Sequence, residues 1–444
     1  MSGVHLQNPS REELFSSTAL LPEEKTASRQ IAAREGSPAG VLAGTGMRVL
    51  YFCEGFTDIR FVVGLSQICD LTMATPAWEF RVSGLADRIE HSGAQLRVDE
   101  IHGRRPAFQV RSLLYLLRNI RNHDVVLSQE MVRGSLNSTI AGKLMGVPVV
   151  TLLGVPPVEY FRCRRERRQI GWLTAVAGEA FIRFAMAVSG RLATTALGMG
   201  PYLRDVAAGT STRAGIGGYY GVDVDLFRPV DDRQRAALRR RHDLPEDAVL
   251  IFFSSRISHE KDPETVLRAT AIARQKGLNA VIVNLGGGFR DFLQRARDLG
   301  FSDSEDWMIG RPAVHPMQDL CEYFQAADVV IQSSLAEGAA FSTLEALACA
   351  TPVVATNVGG MAAQLAGVAR LTPRRDAETM AEEILWVATH RREAVAQAMR
   401  GREYVLAEWR RDKVFADLKG VLERAAAEGK PRASRVEPVL GSDG

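Results

Sequence analysis

Short apolar runs rich in β-branched residues alternate with helical patterns along most of this chain, and the alternation happens twice. Arg48–Phe52, Asp124–Ser128, Val147–Leu153 and Leu192–Leu197 are runs of this kind, compact and apolar enough for strands buried on both faces. Between them, Phe108–Arg121 sets Val110, Leu113, Leu114 and Leu117 on one helical face. Strands alternating with helices imply a parallel sheet, because each helix carries the chain back to the edge where the next strand starts. The pattern restarts near Gly221, with Val249–Phe253, Ala280–Leu285, Asp328–Gln332 and Pro352–Ala355 as buried strands. The expected fold is α/β, with two units joined near Tyr219–Pro229. A length of 444 residues, more than one core usually organises, agrees with this.

The expected boundaries are a mobile arm at 1–46, a first domain at 47–220, a second at 221–425, and a disordered tail at 426–444. A terminal helix at about Arg402–Arg424 suits either domain and is grouped with the second. Five scattered cysteines, with no Cys-x-x-Cys pair, suggest neither a disulfide framework nor a zinc site and fit a reducing compartment. The N-terminus shows no basic-then-apolar leader. No run of about 18 uncharged apolar residues is found, so no membrane-spanning helix is expected. The expected location is cytoplasmic. A net charge of +3 gives no argument for nucleic-acid binding. Its distribution is uneven: residues 47–220 hold 21 Lys+Arg against 14 Asp+Glu, and residues 221–425 hold 27 against 30. The first domain is therefore the one expected to meet an anionic partner.

Three loops carry candidate chemistry. Ser254–Lys261 follows the strand at Val249–Phe253 and brings Arg256 and Lys261 to the place where α/β folds bind phosphates. Asp262 and Pro263 suit the cap and first turn of the next helix. An ordinary exposed basic loop would look the same. Gly286-Gly287-Gly288 would allow close backbone approach to a ligand, or simply a tight turn. Glu337-Gly338-Ala339-Ala340-Phe341-Ser342-Thr343-Leu344-Glu345 sets two carboxylates eight residues apart around a loop and a helix start. Ser342 and Glu345 also match a capping box, which needs no ligand. All three loops, and Thr356–Gly360 after them, would gather at one sheet edge.

The stretch from about Tyr220 to Pro373 resembles the family 4 glycosyltransferases. The resemblance rests on Tyr220-Gly221-Val222-Asp223 with Phe227 and Pro229, on Arg256 with Lys261, on Glu337-x7-Glu345, and on Pro352–Gly360. It implies the GT-B fold, two facing Rossmann-like domains with parallel sheets and a cleft between them. It also implies a retaining glycosyltransferase that uses a nucleotide-sugar such as a UDP- or GDP-sugar as co-substrate, with no cofactor and no bound metal. By the same resemblance Arg256 and Lys261 hold the donor diphosphate, and Glu345 binds the ribose. Glu337 and the amides of Gly338, Ala339, Ala340 and Phe341 hold the sugar. Gly287, and Gly55 from the first domain, join the donor site, and the base lies near Gly310–Ala313. The catalytic set is then Glu337, Arg256 and Lys261.

The sequence departs from that family in places. Gly338-Ala339-Ala340-Phe341 replaces a Gly-Phe-Gly, Ala350 replaces a glycine, and Glu54-Gly55-Phe56 replaces a glycine pair. Leu152-Leu153-Gly154 stands where a histidine commonly follows the strand. A GT-B-like epimerase or phosphorylase, or a degenerate sugar-nucleotide-binding homologue, are the alternatives. Arg162, Arg164, Arg165, Arg167 and Arg168 precede Ile170–Gly190, which contains Trp172, Leu173, Phe181, Ile182, Phe184 and Val188. Glu179 and Arg183, four apart, can pair on one face. Residues 162–190 are expected either as a buried helix after a solvated basic loop or as a peripheral contact with an anionic membrane. The expected acceptor is a glycan, a lipid-linked glycan or a small molecule.

Overall fold

Two sheets account for the two rounds of alternation. The computed structural model describes residues 27–31, 46–55, 57–129, 132–168, 171–286, 288–312 and 317–429. The first sheet contains β1 (Ala27–Ile31), β2 (Arg48–Cys53), β3 (Asp70–Pro76), β4 (Leu96–Ile101), β5 (Val125–Gln129), β6 (Val149–Leu153), β7 (Thr195–Gly198) and β8 (Ala214–Ile216). The second contains β9 (Val249–Phe253), β10 (Ala280–Leu285), β11 (Met308–Arg311), β12 (Val329–Gln332), β13 (Val353–Thr356) and β14 (Arg370–Thr372). Their spatial orders are β1-β4-β3-β2-β5-β6-β7-β8 and β11-β10-β9-β12-β13-β14. Every pairing is parallel except β1 on β4.

Both orders reverse direction once. The chain winds from β2 outward through β3 and β4, then returns to β5 beside β2; it winds from β9 through β10 and β11, then returns to β12 beside β9. Each reversal leaves a crevice at the carboxyl ends of the two central strands, where open α/β sheets bind ligands.

Side chains alternate across each sheet. Val49, Tyr51 and Cys53 enter one core with Leu250 and Phe252, while Leu50 and Phe52 face a second, and Ile251 and Phe253 a third. Helix Arg105–Asn119 buries Phe108, Tyr115 and Leu116, with Leu113 and Leu117 partly buried. Val110 and Leu114 of the expected face stay exposed, so the buried stripe is rotated from the one read in the sequence.

Three expectations are corrected here. Residues 27–31 of the expected arm form β1, an antiparallel edge strand on β4. An edge addition needs only backbone hydrogen bonds and therefore leaves no apolar pattern; the rest of 1–45 lies outside the described residues. The terminal helical stretch is two helices, Arg391–Glu408 and Arg411–Gly429. The second returns to the first domain: Phe415 stacks on Phe61 at 6.1 Å, and Arg213 Nη1 meets Glu428 Oε2 at 2.5 Å. Gly64 makes this possible, since a Cβ there would lie 1.9 Å from the Phe415 ring. Helix residues extend to Gly429, so 426–429 belong to that helix; residues 430–444 lie outside the described residues.

The chain crosses between domains at two places that clasp each other. Val222 N–H donates to Trp409 O at 2.7 Å, and Arg411 N–H donates to Val222 O at 2.9 Å. The basic cluster forms a helix, Pro157–Arg168, rather than a loop. The following helix, Trp172–Leu192, is long and apolar enough to cross a membrane by length and composition, although Glu179, Arg183 and Arg191 interrupt it so that it holds no uncharged run of that length. Its Ala175, Ala185, Met186, Ser189 and Gly190 are buried, whereas Trp172, Leu173, Val176, Phe181 and Phe184 are exposed.

Candidate active site

The loops after β9 and β12 meet in the crevice between those strands. Leu335 N–H donates to Glu260 O at 2.9 Å, and Ser333 Oγ donates to Lys261 O at 2.7 Å. Asn284 Nδ2, from β10, donates to Phe253 O at 2.8 Å and Ser255 O at 3.0 Å. These bonds fix where Lys261 points. Its ammonium donates to the Glu337 carboxylate, and Ser334 Oγ donates to the same Glu337 oxygen at 3.2 Å. Both partners of the pair are largely buried. Asp262 takes the helix-capping position in a left-handed conformation (φ 44°), with Pro263 next; its carboxylate accepts the Thr265 hydroxyl at 2.6 Å. Arg256 lies on the same loop but is exposed and has no ion pair among the described residues. The structure thus unites Lys261 with Glu337 and leaves Arg256 beside them.

Gly338 sits where the two domains touch. A Cβ on it would lie 2.6 Å from Leu203 and 2.9 Å from Gly154 O. Gly360 in turn passes so close that its Cβ would fall 1.7 Å from Gly338 O. Gly360 N–H donates to Glu337 O at 2.9 Å, and Gln364 Nε2 donates to Ala340 O at 3.1 Å. With carbonyls held from that side, the amides of Gly338, Ala339 and Ala340 have no protein acceptor among the described residues. The Phe341 ring turns away from the crevice into the hinge, 4.4 Å from Tyr220 and 5.9 Å from Trp409.

Glu345 is buried, and burial raises its carboxyl above the ordinary range while Arg60 of the first domain opposes the rise. The Arg60 guanidinium contacts Glu345, pairs with Asp58 at 2.9 Å, and lies 3.8 Å over the Tyr220 ring. The capping box does not form. The helix starts at Phe341 with no side-chain cap, and Ser342 Oγ donates instead to Gln332 Oε1 at 3.3 Å.

Gly55 follows β2 in the other crevice, its carbonyl 3.0 Å from Cys53 Sγ. Gly286 and Gly288 are both left-handed at φ 99°. Gly287 and Ala313 lie outside the described residues.

Residues 234–404 match the family model of the glycosyl transferases group 1, a span that holds β9 to β14 and all of Arg256, Lys261, Glu337 and Glu345. The chain carries a group 1 glycosyl transferase domain. Over 208 residues it is 37% identical to a D-inositol 3-phosphate glycosyltransferase of Saccharomonospora viridis, covering 43% of this chain and 46% of that one. Over 152 residues it is 37% identical to D-inositol 3-phosphate glycosyltransferase 1 of Catenulispora acidiphila, covering 32% and 35%. The matched stretch is thus less than half the length of these curated relatives. Among solved structures, Anabaena Alr3699/HepE in complex with UDP superposes with a TM-score of 0.66 at 15% identity, covering 85% of this chain and 100% of that one. Sucrose-phosphate synthase from Thermosynechococcus elongatus gives 0.65 at 16%, covering 86% and 99%. The fold is GT-B.

The contacts that tie the group 1 domain to its neighbour were not foreseen. Arg60 reaches Glu345 from 285 positions away. Tyr160 Oη donates to Glu260 Oε1 at 2.8 Å. Burial acts to raise the Glu260 carboxyl, but its own backbone N–H and the Tyr160 hydroxyl outweigh this and hold it low. Glu166 receives Arg375 at 2.5 Å. Glu260 and Glu345 lie in the site loops read from the sequence, whereas Arg60, Tyr160, Glu166 and Arg375 sit in no local motif.

Proposed function

We propose that the protein is a retaining, metal-independent glycosyltransferase that moves a sugar from a nucleotide-sugar to a glycan, lipid-linked or small-molecule acceptor. The observation that carries this reading is the Lys261–Glu337 pair at the β9/β12 reversal, walled by the free amides of Gly338–Ala340. Lys261 and Arg256 hold the donor diphosphate, Glu337 and those amides the sugar, and Glu345 the ribose. Gly287 and Gly55 join the donor contacts, and the base lies near Gly310–Ala313. As the bond from the anomeric carbon to the diphosphate breaks, negative charge grows on the leaving oxygen. Cations fixed beforehand stabilise that charge more than they stabilise the ground state. The acceptor oxygen bonds to the anomeric carbon on the face the diphosphate leaves, and its proton passes to the leaving diphosphate. The UDP and UDP-glucose complexes of Alr3699/HepE support a nucleotide-sugar donor, and the relatives named D-inositol 3-phosphate glycosyltransferase support glycosyl transfer.

The test is release of nucleoside diphosphate in excess chelator, with and without acceptor. Acceptor-dependent release distinguishes a transferase from an epimerase or a non-catalytic homologue. Release that chelator stops and divalent ion restores would contradict the metal-independent reading.

We further propose that the first domain rests on an anionic, cytoplasm-facing membrane surface. The support is the exposed Trp172, Leu173, Val176, Phe181 and Phe184 beside the arginine-rich helix. Aromatic and apolar side chains enter the headgroup boundary while arginines meet anionic lipid.

A further inference from the structure

A cavity of about 240 Å³ opens at the amino-terminal ends of β9, β12 and β13, on the edge of the second sheet opposite Lys261 and Glu337. Three arginines meet there around one carboxylate. Arg235 and Arg239 come from helix Asp232–Arg241, and Arg391 begins helix Arg391–Glu408. Asp328 stands just ahead of β12. Its Oδ2 accepts Arg239 Nη2 at 2.6 Å and Leu250 N–H at 2.8 Å, and its Oδ1 accepts Arg391 Nη1 at 2.9 Å.

That arrangement satisfies Arg239 and leaves Arg235 over. Arg239 also donates to the carbonyls of Ala326 and Ala248, at 3.0 and 3.1 Å, and is a structural residue. Arg235 Nη1 stands 3.6 Å from Asp328 Oδ1, too far for a hydrogen bond, and its side chain is only 20% exposed. Its Nε is buried with no acceptor. Burial first, and then the like charge of Arg391, pull the Arg235 guanidinium below its ordinary range despite the opposing attraction of Asp328 and Asp232. The nearby acids do not fill the gap. Asp232, 3.6 Å from Arg391, is 90% exposed, and Glu246 on the cavity wall is turned to Arg240 at 2.7 Å. The Arg235 Nε has no acceptor, and the one carboxylate near all three arginines is already hydrogen-bonded to Arg239 and Arg391, so the cavity holds donors in excess of acceptors.

We propose that this cavity is a second anion site, separate from the cleft, which takes the phosphate group of a small phosphorylated metabolite between Arg235 and Arg391. A phosphate offers several charged acceptor oxygens to two guanidinia, the pairing for which arginine is suited. The volume admits a phosphate with a small attached group.

Isothermal titration of the full chain with inorganic phosphate, at matched ionic strength in chloride, tests this. Wild type and Lys261→Ala, which disables the cleft, are expected to bind phosphate alike at this site. Arg235→Gln and Arg391→Gln are each expected to weaken binding by about tenfold or more, the loss typical of one charged hydrogen bond. Arg391 is half exposed, so its variant keeps the fold and carries the test if Arg235→Gln does not fold. Phosphate binding that survives both arginine changes overturns the proposal. So does binding that Lys261→Ala alone abolishes, or the lack of any phosphate-specific heat in wild type.

Discussion

Lys261 and Glu337, 76 positions apart, form an ion pair at the point where the second sheet reverses its winding. Each comes from the loop after one of the two central strands, so the pair depends on the sheet order rather than on any local motif. A diphosphate entering the crevice would take Lys261 from Glu337 and leave that carboxylate free to accept sugar hydroxyls.

Lys261→Ala and Glu337→Gln should therefore each lower turnover by about 10²–10³ while leaving the fold intact, the loss typical of one preorganised charge-stabilising group. Steady-state transfer assays on variants with wild-type circular dichroism check this. Near-normal turnover in folded Lys261→Ala would remove the residue from the site.

Arg60→Ala should destabilise the protein in a pH-dependent way. Burial raises the Glu345 carboxyl and Arg60 opposes the rise, so without Arg60 the group holds its proton to higher pH. While protonated it is neutral and needs no partner. As pH rises through its folded-state pKa it becomes an uncompensated buried charge, approaching the ~3–5 kcal/mol cost of a broken buried pair. Asp58 adds to the gap but not to its widening: its carboxyl is held low because its Arg60 contacts outweigh its burial, and the stability this gives is already full above its unfolded pKa of about 4. The gap in melting temperature between wild type and variant should widen from pH 5 to pH 8. A constant gap would contradict the account.

Gly360→Ala should impair transfer although Gly360 is assigned no ligand contact. Its new methyl group would fall on the Gly338 carbonyl, displacing the loop that carries Glu337. Such a clash between backbones costs typically ~1–3 kcal/mol. The check is turnover together with melting temperature: a drop in turnover much larger than the drop in stability is expected, and unchanged turnover would show that the loop position does not matter.

The first domain should sediment with anionic vesicles more than with neutral ones. Trp172→Ser with Phe184→Ser should weaken this. Glu179 holds both Arg162 and Arg183, at 2.6 and 2.9 Å, and their hydrogen bonds draw its carboxyl down to about 2. Glu179→Gln should release both arginines and strengthen binding to anionic vesicles, most at low ionic strength. Equal failure of all proteins to sediment would end the membrane proposal.

The second sheet was largely legible in the sequence. Val249–Phe253 is an unbroken apolar run and Ala280–Leu285 is broken only by the buried Asn284, because both faces are covered, and the structure reproduces their limits. β3 and β4 were not legible. β4 buries Asp99 and Glu100, neutralised by Arg97 and Arg81, so its polar letters resemble a surface segment. The helix of Phe415, Leu418 and Leu422 shows an apolar stripe, but a stripe does not say which domain it faces. Ser342 and Glu345 fit a capping motif by spacing, yet Gln332 and Arg60 take their side chains through tertiary contacts. The site loops could be listed from the sequence. The pairing of Lys261 with Glu337 needed the strand order.

The most direct test of the donor site is a thermal-shift panel of nucleotide-sugars on wild type and Lys261→Ala. One nucleotide-sugar at ~100 times its dissociation constant should stabilise wild type by ~2.7 kcal/mol, and the same concentration should give Lys261→Ala little or none. Equal stabilisation of both proteins by that donor would place the nucleotide-sugar somewhere other than the β9/β12 crevice.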